Sequence, residues 1–133
     1  MPQDFDWMDY LKLAESLITD TNIPAGLEEA KLRSMVSRAY YAVYHKARTL
    51  LEKYFAVQIS REHSQSDVIK EYKEGGDIRC IDVGDRLNTL FKTRKTADYE
   101  NKMYINIRQA KVIIQNCRET IQLIRDIEQS LRH

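Results

Sequence analysis

Arg38 and His45 are the two side chains whose types and spacing best suit acid–base and phosphate chemistry. They stand seven residues apart within residues 37–48, a stretch with helical periodicity. Seven steps of about 100° fall about 20° short of two turns, so both side chains leave one helix face, about 10 Å apart along the axis. An arginine can bind a phosphate through two N–H groups, and a histidine can exchange protons near neutral pH. Helix faces also carry such pairs by chance, so the spacing alone is weak support for a site.

The chemistry that this pair suits is cleavage of RNA without a metal. That reaction needs a base for the 2′-hydroxyl, a cation for the charged phosphorane and an acid for the leaving 5′-oxygen. Arg38 provides the cation, and His45 provides one of the two proton transfers. Because one acid–base group is missing, and because helical side chains lean toward the N-terminus, we expect a complete site to need two copies in a two-fold dimer.

A second group of polar residues follows later in the chain. Arg94 and Asp98 stand four positions apart, and Tyr99 comes next. One interpretation is an ion pair within a helix, worth about 0.3–0.5 kcal/mol. The other is that the three residues form a wall facing the Arg38 stripe, with Asp98 orienting Arg38 and Tyr99 stacking or hydrogen bonding. The sequence leaves both interpretations open.

Three further residues are candidates for binding or supporting a ligand. Tyr41 and Arg48 share the polar helix face with Arg38 and His45, and a tyrosine can stack on a base. His63 lies in an irregular polar stretch, where a surface or helix-entry histidine is the usual outcome. We expect these three residues to bind a ligand or to support the Arg38/His45 pair.

The sequence predicts neither a metal nor a cofactor. Cys80 and Cys117 stand far apart without C-x-x-C spacing, which favours reduced thiols over a disulfide. The i, i+4 histidine pairs of zinc helices are missing, and Gly75-Gly76 lacks the spacing and the strand of a phosphate loop.

Five predicted helices position these residues: 5–19, 27–55, 67–74, 83–99 and 105–131. We expect Gly75 to end the third in the left-handed conformation and Asp82 to begin the fourth. In the helix of residues 27–55, the candidate residues lie on a different face from the apolar stripe. That stripe consists of Leu32, Val36, Ala39, Val43, Ala47, Leu50 and Tyr54. The prediction is an all-α fold: an up-and-down bundle of four main helices with a short extra helix between helices two and three.

Composition limits the class of protein. A chain of 133 residues with 43% hydrophobic and 31% charged residues suits one globular domain. The formal charge of +1 neither supports nor excludes RNA as a partner. No apolar run approaches the roughly 20 residues of a membrane span, and the N-terminal residues are too acidic for a signal peptide, so we expect a cytoplasmic protein without membrane contact.

Three motifs resemble those of a prokaryotic branch of the HEPN superfamily, named for higher eukaryotes and prokaryotes nucleotide-binding. The first is similar to the family's Arg-x4-6-His signature, and the likeness covers about residues 25–125. In chain order the motifs are Arg38-Ala-Tyr-Tyr-Ala-Val-Tyr-His45, Glu62-His63-Ser64 and Arg94-Lys-Thr-Ala-Asp98-Tyr99.

The resemblance implies a helical domain over residues 1–133, a prokaryotic source and a homodimer with the Arg-x6-His helices near its interface. Family members include metal-independent ribonucleases of toxin–antitoxin and antiviral systems, often encoded beside a nucleotidyltransferase-fold partner. By this resemblance Arg38 would bind the scissile phosphate, and His45 would act as general acid or base.

Two departures from the family pattern keep a second function open. Active branches usually have a polar residue directly after the arginine, where this chain has Ala39, and the branch silenced by nucleotide transfer has a tyrosine where this chain has Ala47. The first expectation is an endoribonuclease acting as a toxin or defence component. The alternative is a non-catalytic module that binds a nucleotide or a nucleotidyltransferase-fold antitoxin in the same cleft.

Overall fold

The computed structural model describes residues 5–60, 62–101 and 105–132. These residues contain five α-helices packed in a bundle and no strand, which confirms the all-α prediction. A 3-10 turn (Ala25–Leu27) precedes the second helix. The helices are α1 (Met8–Ile18), α2 (Glu28–Tyr54), α3 (Ser64–Lys73), α4 (Ile78–Tyr99) and α5 (Ile107–Leu131).

Helix α2 lies at the centre of the bundle and contacts all four other helices. Its predicted apolar stripe is buried from Leu32 to Leu50, while Tyr54 at the end is half-buried. Met35, Ala42 and Tyr44 are buried as well, so the core covers more of the circumference than the stripe alone. The face with the Arg38 and His45 positions stays exposed or half-buried, as the periodicity predicts.

Helix ends are fixed by short-range hydrogen bonds. The Asp6 carboxylate accepts the N–H of Met8 at 3.0 Å at the start of α1. At the start of α5, Asn106 and Gln109 form a reciprocal capping box. These bonds satisfy N–H groups that a helix cannot pair internally.

The α3–α4 connection is shorter than predicted. Helix α4 begins at Ile78, because Asp77 and not Asp82 caps it by accepting the N–H of Arg79 at 2.7 Å. Ile78 is 83% exposed, so the apolar residue that begins α4 does not mark a buried face.

The glycine that adopts the left-handed conformation is also not the one predicted. Gly76 has φ 76°, whereas Gly75 has no positive φ. Helix α3 begins at Ser64 instead of residue 67, so the irregular stretch before it is short.

Close packing holds α3 beside α4 and α2. Gly84 is buried in α4, and a Cβ there would lie 2.9 Å from the backbone nitrogen of Lys73 at the end of α3. The buried Tyr72 hydroxyl of α3 donates to the carbonyl of Ala47 in α2 at 2.7 Å. The position of α3 relative to the central helix is therefore well defined. None of the described helices combines the length and apolar character that a membrane span requires.

Candidate functional site

The candidate residues lie in two clusters along α2. The His45 cluster consists of Arg38 and His45 with Trp7 and Tyr10 from the α1 region. The Arg94 cluster consists of Arg94 and Asp98 of α4, Gln65 of α3, and Tyr40 and Tyr41 of α2.

His45 is half-buried beneath the ring of Trp7. The two ring centroids lie 3.4 Å apart, and the ring planes differ by 8°. Burial of the imidazole, followed by the positive charge of Arg48, lowers the pKa of His45 to about 4, against an opposing effect of Glu52. His45 is therefore neutral at pH 7.

Arg38 is exposed on the same face of α2. Its guanidinium carbon lies 5.0 Å from the ring centroid of Tyr10, a cation–π arrangement. No carboxylate of the described residues lies within ion-pair distance of Arg38. Its N–H groups are thus available to an anionic ligand.

Aromatic residues at and just before the start of α1 lie against both groups. The rings of Phe5, Trp7 and Tyr10 lie 4.9–5.6 Å from one another. A pocket of about 320 Å³ beside them is bounded by Phe5, Trp7, His45 and Lys46. Neither Trp7 nor Tyr10 was predicted as a site residue, although three aromatic residues within six positions are a visible signal.

Tyr41 and Arg48 differ in how available their side chains are to a ligand. Arg48 pairs with Glu52 and donates to the hydroxyl of Tyr44 at 3.2 Å; the hydrogen bond to Glu52 is the main cause of its raised pKa. The half-buried Tyr41 ring lies 6.4 Å from that of His45 and 5.5 Å from the guanidinium carbon of Arg94. Tyr41 therefore lies between the two clusters, while Arg48 is occupied by neighbours on its own helix.

Arg94 is buried, with 5% exposure. Its Nη2 donates to Oε1 of Gln65, which also accepts the Tyr40 hydroxyl at 3.1 Å. The guanidinium carbon lies 5.4–5.9 Å from the ring centroids of four aromatic residues. The four are Tyr40, Tyr41, Phe91 and Tyr99. Arg94 thus connects α4 to α2 and α3.

Asp98 combines features of both sequence interpretations. It forms the ion pair within the helix, at 3.3 Å from Arg94, and it also packs toward α2, where Ser37 donates to it at 3.4 Å. Among the described hydrogen bonds none joins Asp98 to Arg38, and Arg38 is instead near Tyr10. Tyr99 is 73% exposed, with its ring 5.9 Å from the Arg94 guanidinium carbon.

His63 is exposed at the N-cap position of α3. It borders a pocket of about 350 Å³ together with Gln65 and Arg94, a grouping that the sequence did not predict. Gln65 was missed because an amide has no acid–base chemistry, although it follows the Glu62-His63-Ser64 motif directly.

Metal-ligand geometry is not found in the part of the chain that the structure describes, where no three His, Cys, Asp or Glu residues could hold an ion. Cys80 and Cys117 are buried free thiols, and burial raises the pKa of each, that of Cys117 to about 12.

A family comparison covers both clusters. The model of the HEPN domain matches residues 10–127, a range that includes Arg38, His45 and Arg94 but begins after Trp7. No curated protein and no solved structure matched the chain. Since the match spans most of the 133 residues, the chain belongs to the HEPN domain family.

Proposed function

We propose that this protein is a metal-independent endoribonuclease in which Arg38 and His45 of two copies form one composite site. The observation that carries the proposal is that the half-buried His45 and the exposed Arg38 lie on one face of α2. The imidazole is neutral at pH 7, as a general base must be, and a bound phosphate that raises its pKa from about 4 brings it closer to the working pH, where a base is most effective.

The reaction is a transesterification in which the RNA provides its own nucleophile. His45 takes the proton of the 2′-hydroxyl, the 2′-oxygen attacks the phosphorus, and the bond from phosphorus to the 5′-oxygen breaks. The products are a 2′,3′-cyclic phosphate and a 5′-hydroxyl. Arg38 donates to the non-bridging oxygens and stabilises the charge that accumulates on them.

The leaving 5′-oxygen needs a proton that the same imidazole cannot give at that moment. The second copy's His45 provides it in the protonated form, which the negative charge of the bound phosphate favours, so that one imidazole of the dimer acts as base and the other as acid. A homodimer that pairs the exposed faces of α2 brings the two histidines together. In a prokaryotic cytoplasm this activity suits a toxin or defence component with a nucleotidyltransferase-fold antitoxin, in line with the motif resemblance.

The test is cleavage of RNA in EDTA by the wild type and by His45→Ala, both shown to be folded by circular dichroism. We expect His45→Ala to lose about 10²–10⁴-fold in rate. Gln122→Ala, at an exposed position of α5, is the control that keeps wild-type activity. Equal rates for His45→Ala and the wild type contradict the proposal, as does a monomer by light scattering at micromolar concentration.

A non-catalytic binding module is the second candidate, and the covering aromatic residues favour it. Trp7 stacks on one face of His45, Tyr10 lies over Arg38, and Ala39 beside Arg38 is fully buried and apolar. In this case the wild type does not cleave RNA in EDTA but binds a nucleotide or a nucleotidyltransferase-fold partner. Arg38→Ala then weakens that binding about tenfold or more, because a charged hydrogen bond is lost.

A further inference from the structure

The pocket of about 350 Å³ at the N-terminus of α3 is not used by the proposed mechanism. It is bounded by residues of the first turn of α3 and by two residues of α4, and neither Arg38 nor His45 borders it. Those residues are His63, Ser64, Gln65, Ser66, Phe91 and Arg94, and Glu62, just before α3, completes the lining.

The first turn of α3 offers unused donors to this pocket. The N-cap residue His63 makes no side-chain capping bond. Among the described residues, the N–H groups of Ser64, Gln65 and Ser66 have no acceptor, since the first N–H that bonds is that of Asp67. In a helix of ten residues these groups also carry the positive end of the dipole.

Arg94 is the second, independent indication of a ligand. Its side chain is 6% exposed, and its Nε is buried without a hydrogen-bond partner among the described residues. Nε and Nη2 form one edge of the planar guanidinium. Because Nη2 donates to Gln65 in the first turn of α3, the edge that carries Nε faces that turn. A buried donor without an acceptor is rare and calls for an explanation.

We propose that this pocket is a binding site for a phosphate group. The N–H groups of the first turn of α3 and the Ser64 hydroxyl contact the phosphate oxygens, and the Nε–Nη2 edge of Arg94 faces them from α4. Helix N-termini bind phosphate in this way, and arginine matches its geometry. Phe91 adds an apolar wall, and the volume leaves room for more than the phosphate itself.

Three acidic side chains limit the affinity. Glu62 is exposed at the rim of the pocket, Asp67 accepts from Ser60 Oγ at 2.9 Å, and Asp98 pairs with Arg94 at 3.3 Å. None of them bonds the free N–H groups of the first turn of α3, so those donors remain available to an anion. The site goes beyond the proposed ribonuclease function, because it needs neither His45 nor cleavage.

The test is isothermal titration in chloride buffer with three probes: inorganic phosphate, AMP and a 2′-O-methylated RNA oligonucleotide that cannot be cleaved. The wild type is expected to bind phosphate. Ser64→Asp introduces a negative charge into the pocket at a helix position where a carboxylate is favourable, so the protein should fold while phosphate binding weakens about tenfold or more. Ser16→Asp, exposed on α1, places the same charge elsewhere and should bind as the wild type does.

The probes identify the source of the phosphate. Tighter binding of AMP than of RNA, with both weakened by Ser64→Asp, assigns the pocket to a free nucleotide; the opposite order assigns it to the RNA backbone. Ser64→Ala, which removes the hydroxyl alone, should weaken binding about two- to tenfold and tests the site without a new charge. Absence of phosphate binding by the wild type, or equal binding by Ser64→Asp, overturns the proposal.

Discussion

Arg38 and Arg94 both lie beside tyrosine rings, yet their surroundings are opposite. Arg38 is exposed, and its described contact is the ring of Tyr10, 5.0 Å away. Arg94 is 5% exposed, donates to Gln65 of α3 and lies against the rings of Tyr40 and Tyr41 of α2, so it joins three helices. A side chain that acts on a ligand needs free donors, whereas one that holds helices together has most of its donors occupied.

Because of this difference, variants of Arg38 and of Arg94 are expected to affect different properties, ligand chemistry in one case and stability in the other. Arg38 can be changed without disturbing the core, so its variants report on ligand chemistry. Changes at Arg94 remove a charge and hydrogen bonds from the interior, so its variants report first on the fold. The unused Nε of Arg94 is the exception, and it is the reason for assigning that cluster a ligand as well.

The largest expected effect is on the free energy of unfolding of Arg94→Met. Removing the guanidinium takes one charged donor from Gln65 and one from Asp98 and breaks the ion pair, which should cost about 3 kcal/mol. The matched variant Arg38→Met should change stability by less than about 0.5 kcal/mol. Urea denaturation followed by circular dichroism measures both, and equal losses for the two variants would show that the comparison is wrong.

Much of the difference between Arg38 and Arg94 could be predicted from the sequence. The helical period of α2 separates buried positions such as Val36 and Val43 from the exposed Arg38, because 3.6 residues per turn fix the direction of each side chain. The four-residue spacing of Arg94 and Asp98 likewise predicts their ion pair. These features depend on one helix at a time.

The remaining features depend on how helices meet, which local periodicity does not encode. Trp7 stacks on His45 across 38 positions of sequence, and no pattern in either segment indicates that contact. Gln65 reaches Arg94 because α3 begins at Ser64, three residues before the predicted start. The burial of Arg94 follows from the same packing, since a charged residue alone predicts exposure.

The next largest effect concerns the pKa of His45 in Trp7→Ala. Burial is the main cause of the value of about 4, so removing the indole should raise the pKa by about one to two units toward its ordinary value of 6.5. An NMR titration of the imidazole proton resonances measures this change directly. Trp7→Phe, which keeps a stacked ring, should stay near the wild type, and a pKa that is unchanged in Trp7→Ala would mean that Trp7 does not control the imidazole.

A smaller effect is the contribution of His45 to the pH dependence of stability. Because its folded pKa, about 4, is below the unfolded value of 6.5, the unfolded chain binds the proton more readily. The contribution is complete above pH 6.5 and is lost as the pH falls toward 4. Since His45 is only half-buried, we expect about 1 kcal/mol. The loss of unfolding free energy between pH 7 and pH 4 should be larger by that amount in the wild type than in His45→Gln, and equal losses would contradict it.

The smallest effect tests whether the two clusters are energetically independent. Ser37, next to Arg38, donates to Asp98 at 3.4 Å, a long hydrogen bond near the surface between a half-buried and an exposed residue. A double-mutant cycle with Ser37→Ala and Asp98→Ala should therefore give a coupling energy below about 0.5 kcal/mol in urea denaturation. Ser34→Ala, one turn away on the same face of α2, is the control partner for Asp98→Ala and should give no coupling. A coupling above about 1 kcal/mol would mean that the clusters respond as one unit, because the energy would then exceed what one long, solvent-exposed hydrogen bond contributes.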